Sequence, residues 1–169
     1  MAVDPTLFRQ VMGRFATGVT VVTSALDGEP HGMTASAVCS VSLEPLLALV
    51  CIDKSSHTHP IVERSGVFAL NVLARDQEHL SRLFADASPP QGHELLGVPY
   101  RQGLSGAPII EGCLAYVECR VVAAYPGGDH TIFLGQVEDA GIEREAPPLL
   151  FFGGRYGLGE GGASGLSPV

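Results

Sequence analysis

Only one lysine, Lys54, occurs in the chain; every other fixed cation is an arginine. Cations are also outnumbered, with Lys and Arg totalling 10 against 18 Asp and Glu, for a formal charge of −8. An acidic surface of this kind disfavours nucleic acid and anionic membranes as partners. It leaves room for a small anionic ligand held by a local cationic pocket. Cysteines are few: Cys39, Cys51, Cys113 and Cys119, with no pair at C-x-x-C spacing. Each sits in or beside an apolar, strand-like run, so buried reduced thiols and a cytoplasmic location are expected. The opening Met-Ala-Val-Asp-Pro lacks the cationic stretch and apolar core of a signal peptide. No apolar run is long. The longest, Pro45 to Ile52, falls far short of the ~18 residues a membrane helix requires. Two catalytic signatures are missing too. No G-x-G-x-x-G follows a strand, which argues against a Rossmann dinucleotide domain, and no G-x-S-x-G marks a serine nucleophile. We find no internal repeat.

What is present is apolar material, turn residues and hydroxyls. Hydrophobic residues make up 46% and charged residues 17% of the 169 residues, enough for one packed domain. The 21 glycines and 12 prolines point to many turns and a strand-rich fold. Asp4 and Pro5 read as the cap and first position of a helix, with Leu7, Phe8, Val11, Met12 and Phe15 on one face and Gly18 ending it. Val19 to Ala25 reads as a strand closed by the turn Asp27-Gly28. One or two strands follow over His31 to Ser42. Leu46 to Ile52 reads as a central strand buried on both faces. Asp53 to Pro60 is a loop, with a short helix around Ile61 to Arg64 and a strand over Val67 to Leu73. Asp76 can cap a helix carrying Leu80, Leu83 and Phe84. Residues 86 to 107 form a long excursion rich in Gly and Pro. Strands Leu114 to Tyr125 and Thr131 to Ala140 are joined as a hairpin by Pro126-Gly127-Gly128-Asp129, and a last apolar piece runs from Leu149 to Phe152. This pattern predicts a mainly β fold: a closed or nearly closed antiparallel barrel with a few peripheral helices. It covers residues 1–157, and 158–169 form a flexible Gly/Ser-rich tail.

Three clusters carry chemistry. Gly32-Met33-Thr34-Ala35-Ser36-Ala37, continuing through Ser40-Val41-Ser42, offers small and hydroxyl residues beside which a flat ligand can approach the backbone. The same stretch also suits a tight strand crossing in a small barrel. Asp53-Lys54-Ser55-Ser56-His57-Thr58-His59-Pro60 supplies one cation, hydroxyls and free N–H groups at a helix start, a phosphate cradle. It also reads as a solvated capped turn, or as a metal site of His57 and His59 with Asp53. Gly127 to Gly135 places His130 at the mouth of a hairpin, where a histidine is also common as a surface residue. Gly154-Arg155-Tyr156 adds a cation and an aromatic ring.

Taken in this order, the clusters resemble the flavin reductase-like family, the small components of two-component monooxygenases, with a flavin-binding split barrel. The matching runs are Phe15 to Thr23, Gly32 to Ala37, Ser40 to Pro45, Phe68 to Leu73, and Gly127-Gly128-Asp129-His130-Thr131-Ile132, within residues 7–157. The resemblance implies an NAD(P)H:flavin oxidoreductase. Thr34, Ala35, Ser36 and Ala37 would line the flavin ring, with Ser40, Val41 and Ser42 as further contacts. Cys51, Ile52 and Asp53 would follow the ring and ribityl chain, with Ser56, Thr58 and Lys54 near the phosphate. Phe84 would cover the flavin or an adenine, His130 would position the nicotinamide, and Tyr156 would help form the nucleotide site. No resident metal is implied. The cofactors are FMN or FAD with NADH or NADPH, and the lack of an arginine cluster for a 2′-phosphate leans to NADH. A homodimer and a monooxygenase partner are implied as well. The alternatives are a flavoredoxin-like electron carrier that keeps its FMN, and a non-catalytic flavin- or haem-binding module.

Overall fold

The computed structural model describes residues 2–86 and 94–157. The expected tail falls outside these, as does part of the 86–107 excursion. In chain order the elements are α1 (Pro5–Met12), β1 (Thr17–Gly18), β2 (Thr20–Leu26), β3 (Glu29–Ala35), β4 (Val38–Leu43), β5 (Leu46–Asp53), α2 (Thr58–Ser65) and β6 (Val67–Val72). They continue as α3 (Glu78–Ala85), β7 (Tyr100–Gln102), β8 (Pro108–Ile110), β9 (Ala115–Gly127), β10 (His130–Ile142), β11 (Leu150–Phe152) and β12 (Arg155–Tyr156). The mainly β class is borne out. No helix is long and apolar enough to cross a membrane among the described residues.

Seven strands form one antiparallel sheet in the order β3-β2-β6-β9-β10-β5-β4. Its two edge strands are consecutive in the chain, separated only by Ser36 and Ala37. Laid flat, six inter-strand gaps would hold the edges about 29 Å apart. The three peptide steps from Ala35 to Val38 reach at most about 11 Å. The sheet therefore curls until its edges meet at Ser36–Ala37, and this seam lies beside the candidate ligand stretch. A three-stranded sheet (β1-β11-β12) and a two-stranded one (β7-β8) complete the fold.

Local chemistry sets several of these elements. The Asp4 carboxylate accepts from the Thr6 N–H at 3.1 Å, capping α1 as expected. The helix stops earlier than expected, at Gly13, whose N–H bonds the Arg9 carbonyl at 2.8 Å. The turn between β2 and β3 has positive φ at both Asp27 (55°) and Gly28 (83°), the backbone that matches strand twist in two-residue hairpins.

Residues of β2, with Val19 just before it, alternate between two cores. Val22 packs inside the curled sheet with Val50, Ile52, Phe68 and Phe133, while Val19 and Val21 pack outside it with Leu73, Leu80, Phe84 and Leu149. This outer core seats α3 on the sheet. On the same outer face, Asn71 donates to Val21 O (3.1 Å) and Thr23 Oγ1 (3.0 Å) and accepts from Ile110 N (2.8 Å). The wholly buried Glu118 accepts from Leu104 N, Ser105 N (both 3.0 Å) and Ser105 Oγ, fixing the loop between β7 and β8.

Three expectations need correction. Strand β5 is not buried on both faces: Ala48, Val50 and Ile52 are buried, whereas Leu47, Leu49 and Cys51 are half-buried. Asp76 does not cap α3. It takes both terminal guanidinium nitrogens of Arg144, which holds its carboxyl below the usual carboxylate range, and Gln77 Oε1 instead accepts from Ala74 N at 3.0 Å. The cysteines are not uniformly buried either. Cys39, on edge strand β4, is exposed and Cys51 is half-buried. Burial pushes the Cys113 thiol up to about 11 and Cys119 up to about 12, so both stay protonated and unreactive at neutral pH.

Candidate active site

A pocket of about 320 Å³ opens between the outer face of β3, the turn leading into α2, and the pair α3 and β12. One wall is polar: Thr34 and Ser36 from β3 and its exit, and Ser56, His57 and Thr58 from the α2 turn. The other wall is largely apolar and aromatic: Phe84 from α3, Phe151 from β11 and Tyr156 from β12, with Val19 and Met33 adding apolar surface.

Each wall is held by identifiable bonds. At Gly32 a Cβ would meet the Phe84 ring at 3.0 Å, so the missing side chain is what lets that ring lie across β3. Thr34 Oγ1 donates to the Ser81 carbonyl at 2.7 Å, stitching β3 to α3. Asp53 Oδ1 accepts from both Ser55 N and Ser55 Oγ at 2.7 Å, closing the turn ahead of α2 and drawing the Asp53 carboxyl below its ordinary range. The Ser56 hydroxyl accepts from His59 N at 3.2 Å. Tyr156 is fixed at tip, edge and face: its OH lies 2.8 Å from Ser81 Oγ, its ring meets Phe151 edge-on at 5.3 Å, and Arg82 sits 4.8 Å from its centroid.

His130 is the first residue of β10, paired in register with Asp53 and Gly127. Its Nδ1 lies 2.8 Å from Asp129 Oδ1, and that bond holds the Asp129 carboxyl below its ordinary range. The hairpin tip is also fastened by Lys54, whose ammonium donates to Gly128 O at 2.6 Å and whose N–H bonds Asp129 O at 3.0 Å.

Of the residues singled out from the sequence, the structure brings Thr34, Ser36, Ser56, Thr58, Phe84 and Tyr156 to this one pocket. Others lie outside its lining. Ala35 and Ile52 are buried, Ile52 with no exposed surface at all. Ala37, Ser40, Val41 and Ser42 belong to the seam and to β4, while Cys51, Asp53, Lys54 and His130 lie on β5, on the turn after it and at the hairpin tip. The metal alternative gains no support. His59 is turned inward onto Thr131 Oγ1 (2.8 Å) and the Phe133 ring, and no group of three candidate ligands occurs among the described residues. Sequence reasoning missed Ser81 and Phe151 as lining residues. Ser81 stands three positions before Phe84, a spacing that puts both on one helix face.

The flavin reductase like domain matches residues 12–159, and the chain belongs to this family. It is 44% identical over 155 residues to the NADH-dependent FAD reductase of Streptomyces globisporus, covering 90% of this chain and 85% of that protein. It is 39% identical over 155 residues to the reductase subunit HsaB of a flavin-dependent monooxygenase from Rhodococcus jostii, covering 92% and 78%. The structure of the Streptomyces globisporus NADH:FAD oxidoreductase SgcE6 with NAD and FAD fragments superposes with a TM-score of 0.85 at 42% identity, covering 97% of this chain and 99% of that one. The enzyme class expected from the sequence, a flavin reductase, stands with these findings.

Proposed function

We propose that this chain oxidises NADH and passes the hydride to a freely exchanging flavin, FAD before FMN, which then serves a separate monooxygenase. The observation that carries the site assignment is the convergence of six residues implied by the resemblance on one pocket. The pocket's chemistry fits a flavin. Hydroxyls on one wall match its polar edge and ribityl chain, aromatic and aliphatic groups on the other match its flat ring, and Gly32 leaves room for the covering Phe84. The volume is at the small end of ligand sites, about 300–1,000 Å³, so the remainder of a dinucleotide would lie along the open seam toward Ala37, Ser40, Val41 and Ser42. When bound, the flavin supplies the hydride-accepting centre.

The chain's own residues bind and orient. Ser36, Ala37, Cys51 and Asp53, all partly open, would face the ring and ribityl chain. Ser56 and Thr58 serve the phosphate, and Lys54 joins them: an ammonium has three donors, and Gly128 O takes one. His130 orients the nicotinamide and takes no proton. Placement is the main requirement of hydride transfer, and good orientation contributes about 7–11 kcal/mol. NADH over NADPH follows the lack of an arginine cluster, and the relatives' names agree. Ser56→Ala and Thr58→Ala should each weaken FAD binding about 3–10-fold, the worth of one hydrogen bond. Fluorescence titration reads this, and unchanged affinity in both would remove the phosphate assignment.

We also propose a homodimer. The apolar face of α1 (Leu7, Phe8, Val11, Met12), Phe15 and the β4–β5 edge (Val41, Leu43, Leu46) are all exposed within one chain. Exposed apolar surface on this scale marks an interface. Sedimentation should give twice the 17.7 kDa chain mass, and a single chain-mass species at micromolar concentration would contradict it. The free thiols fit a cytoplasmic enzyme.

A further inference from the structure

We propose that Ser81 is a positioning residue for the nucleotide, acting through Tyr156. The proposal rests on the assignment of the pocket to flavin and nicotinamide. Ser81 is wholly buried in the middle of α3, where serine is a poorer helix former than alanine. A buried helical serine commonly returns its hydroxyl to the carbonyl four residues back. Here Ser81 Oγ meets the Tyr156 OH at 2.8 Å instead. The Ser81 carbonyl meanwhile accepts from Thr34 Oγ1 at 2.7 Å. One residue thus joins three separate pieces of the pocket: β3 of the large sheet, α3, and β12 of the small sheet.

The tyrosine needs this anchor. Strand β12 is two residues long and follows Gly153 and Gly154, both at positive φ. Phe151 limits the ring at its edge and Arg82 at its face, but Arg82 is itself an exposed side chain paired with Glu78. Among the described residues, only Ser81 fixes the phenol tip from the buried side. Without that bond the ring can swing toward the pocket or away from it, and its hydroxyl no longer has a set direction.

A double-mutant cycle of Ser81→Ala and Tyr156→Phe tests this. Each single variant should raise KM for NADH, and Kd for NAD⁺ by calorimetry, about 3–10-fold, while kcat at saturation changes less than about twofold. The double variant should be no worse than the worse single one. Both substitutions keep the helix and the ring, and matching thermal melts will show that folding is intact. Unchanged KM and Kd in Ser81→Ala would overturn the proposal, as would effects that multiply in the double variant. A wild-type protein that binds neither NAD⁺ nor flavin would overturn the pocket assignment and this proposal with it. Wild-type turnover with an additive cycle would remove the proposal alone.

Discussion

His130→Ala is expected to lower kcat/KM for NADH about 10–100-fold while leaving flavin affinity near normal, corresponding to roughly 1.4–2.7 kcal/mol of lost transition-state stabilisation. The expectation follows from how the imidazole is held. Asp129 occupies Nδ1, leaving Nε2 as the ring nitrogen open to a ligand amide. Lys54 pins the backbone of the same hairpin through Gly128 O and Asp129 O. A histidine fixed at the first residue of a long strand, with one nitrogen committed, suits orientation more than proton transfer. Steady-state kinetics with varied NADH at saturating FAD measures the effect, and flavin titration provides the control. Unchanged kinetics would remove the role assigned to His130.

Glu118→Ala is expected to cost about 3 kcal/mol of stability, because it strands buried donors that the carboxylate now satisfies. Three groups converge on it from the loop between β7 and β8: Leu104 N, Ser105 N and Ser105 Oγ. That loop has closed tightly around the carboxylate, since a Cβ on Gly103 would lie 2.2 Å from Glu118 Oε1. For a domain of this size the loss corresponds to a fall in Tm of roughly 6–12 °C. Differential scanning calorimetry reads it. A Tm within about 2 °C of wild type would mean that water or a shifted loop replaces the carboxylate. Glu118 lies on β9, three strands from β3 in the sheet, and is not part of the pocket lining, so kcat should survive below the transition.

How much of this was legible in the sequence depends on the range of the interactions. Asp4-Pro5 and Asp27-Gly28 work through bonds a few residues long, and both were read correctly. The β-branched run Val19 to Ala25 placed β2, but not that its two faces serve two different cores. Asp76 was misread because its partner, Arg144, is 68 residues away, and a helix cap is the better local guess. The exposure of Cys39 and the half-burial of β5 depend on what covers the outside of a curled sheet, which periodicity alone does not carry. In the site, the hydroxyl-rich stretches at Thr34–Ser36 and Ser56–Thr58 announced themselves by composition. Ser81 did not. It sits in an ordinary amphipathic helix, and its meaning comes from Tyr156, 75 residues later.

Flavin should pass through this protein as a substrate. Mixing the protein anaerobically with a large excess of FAD and NADH, and following the visible flavin absorbance, tests it most directly. Each chain should reduce many flavins in succession. Bleaching that stops at one flavin per chain, or no bleaching at all, would contradict it.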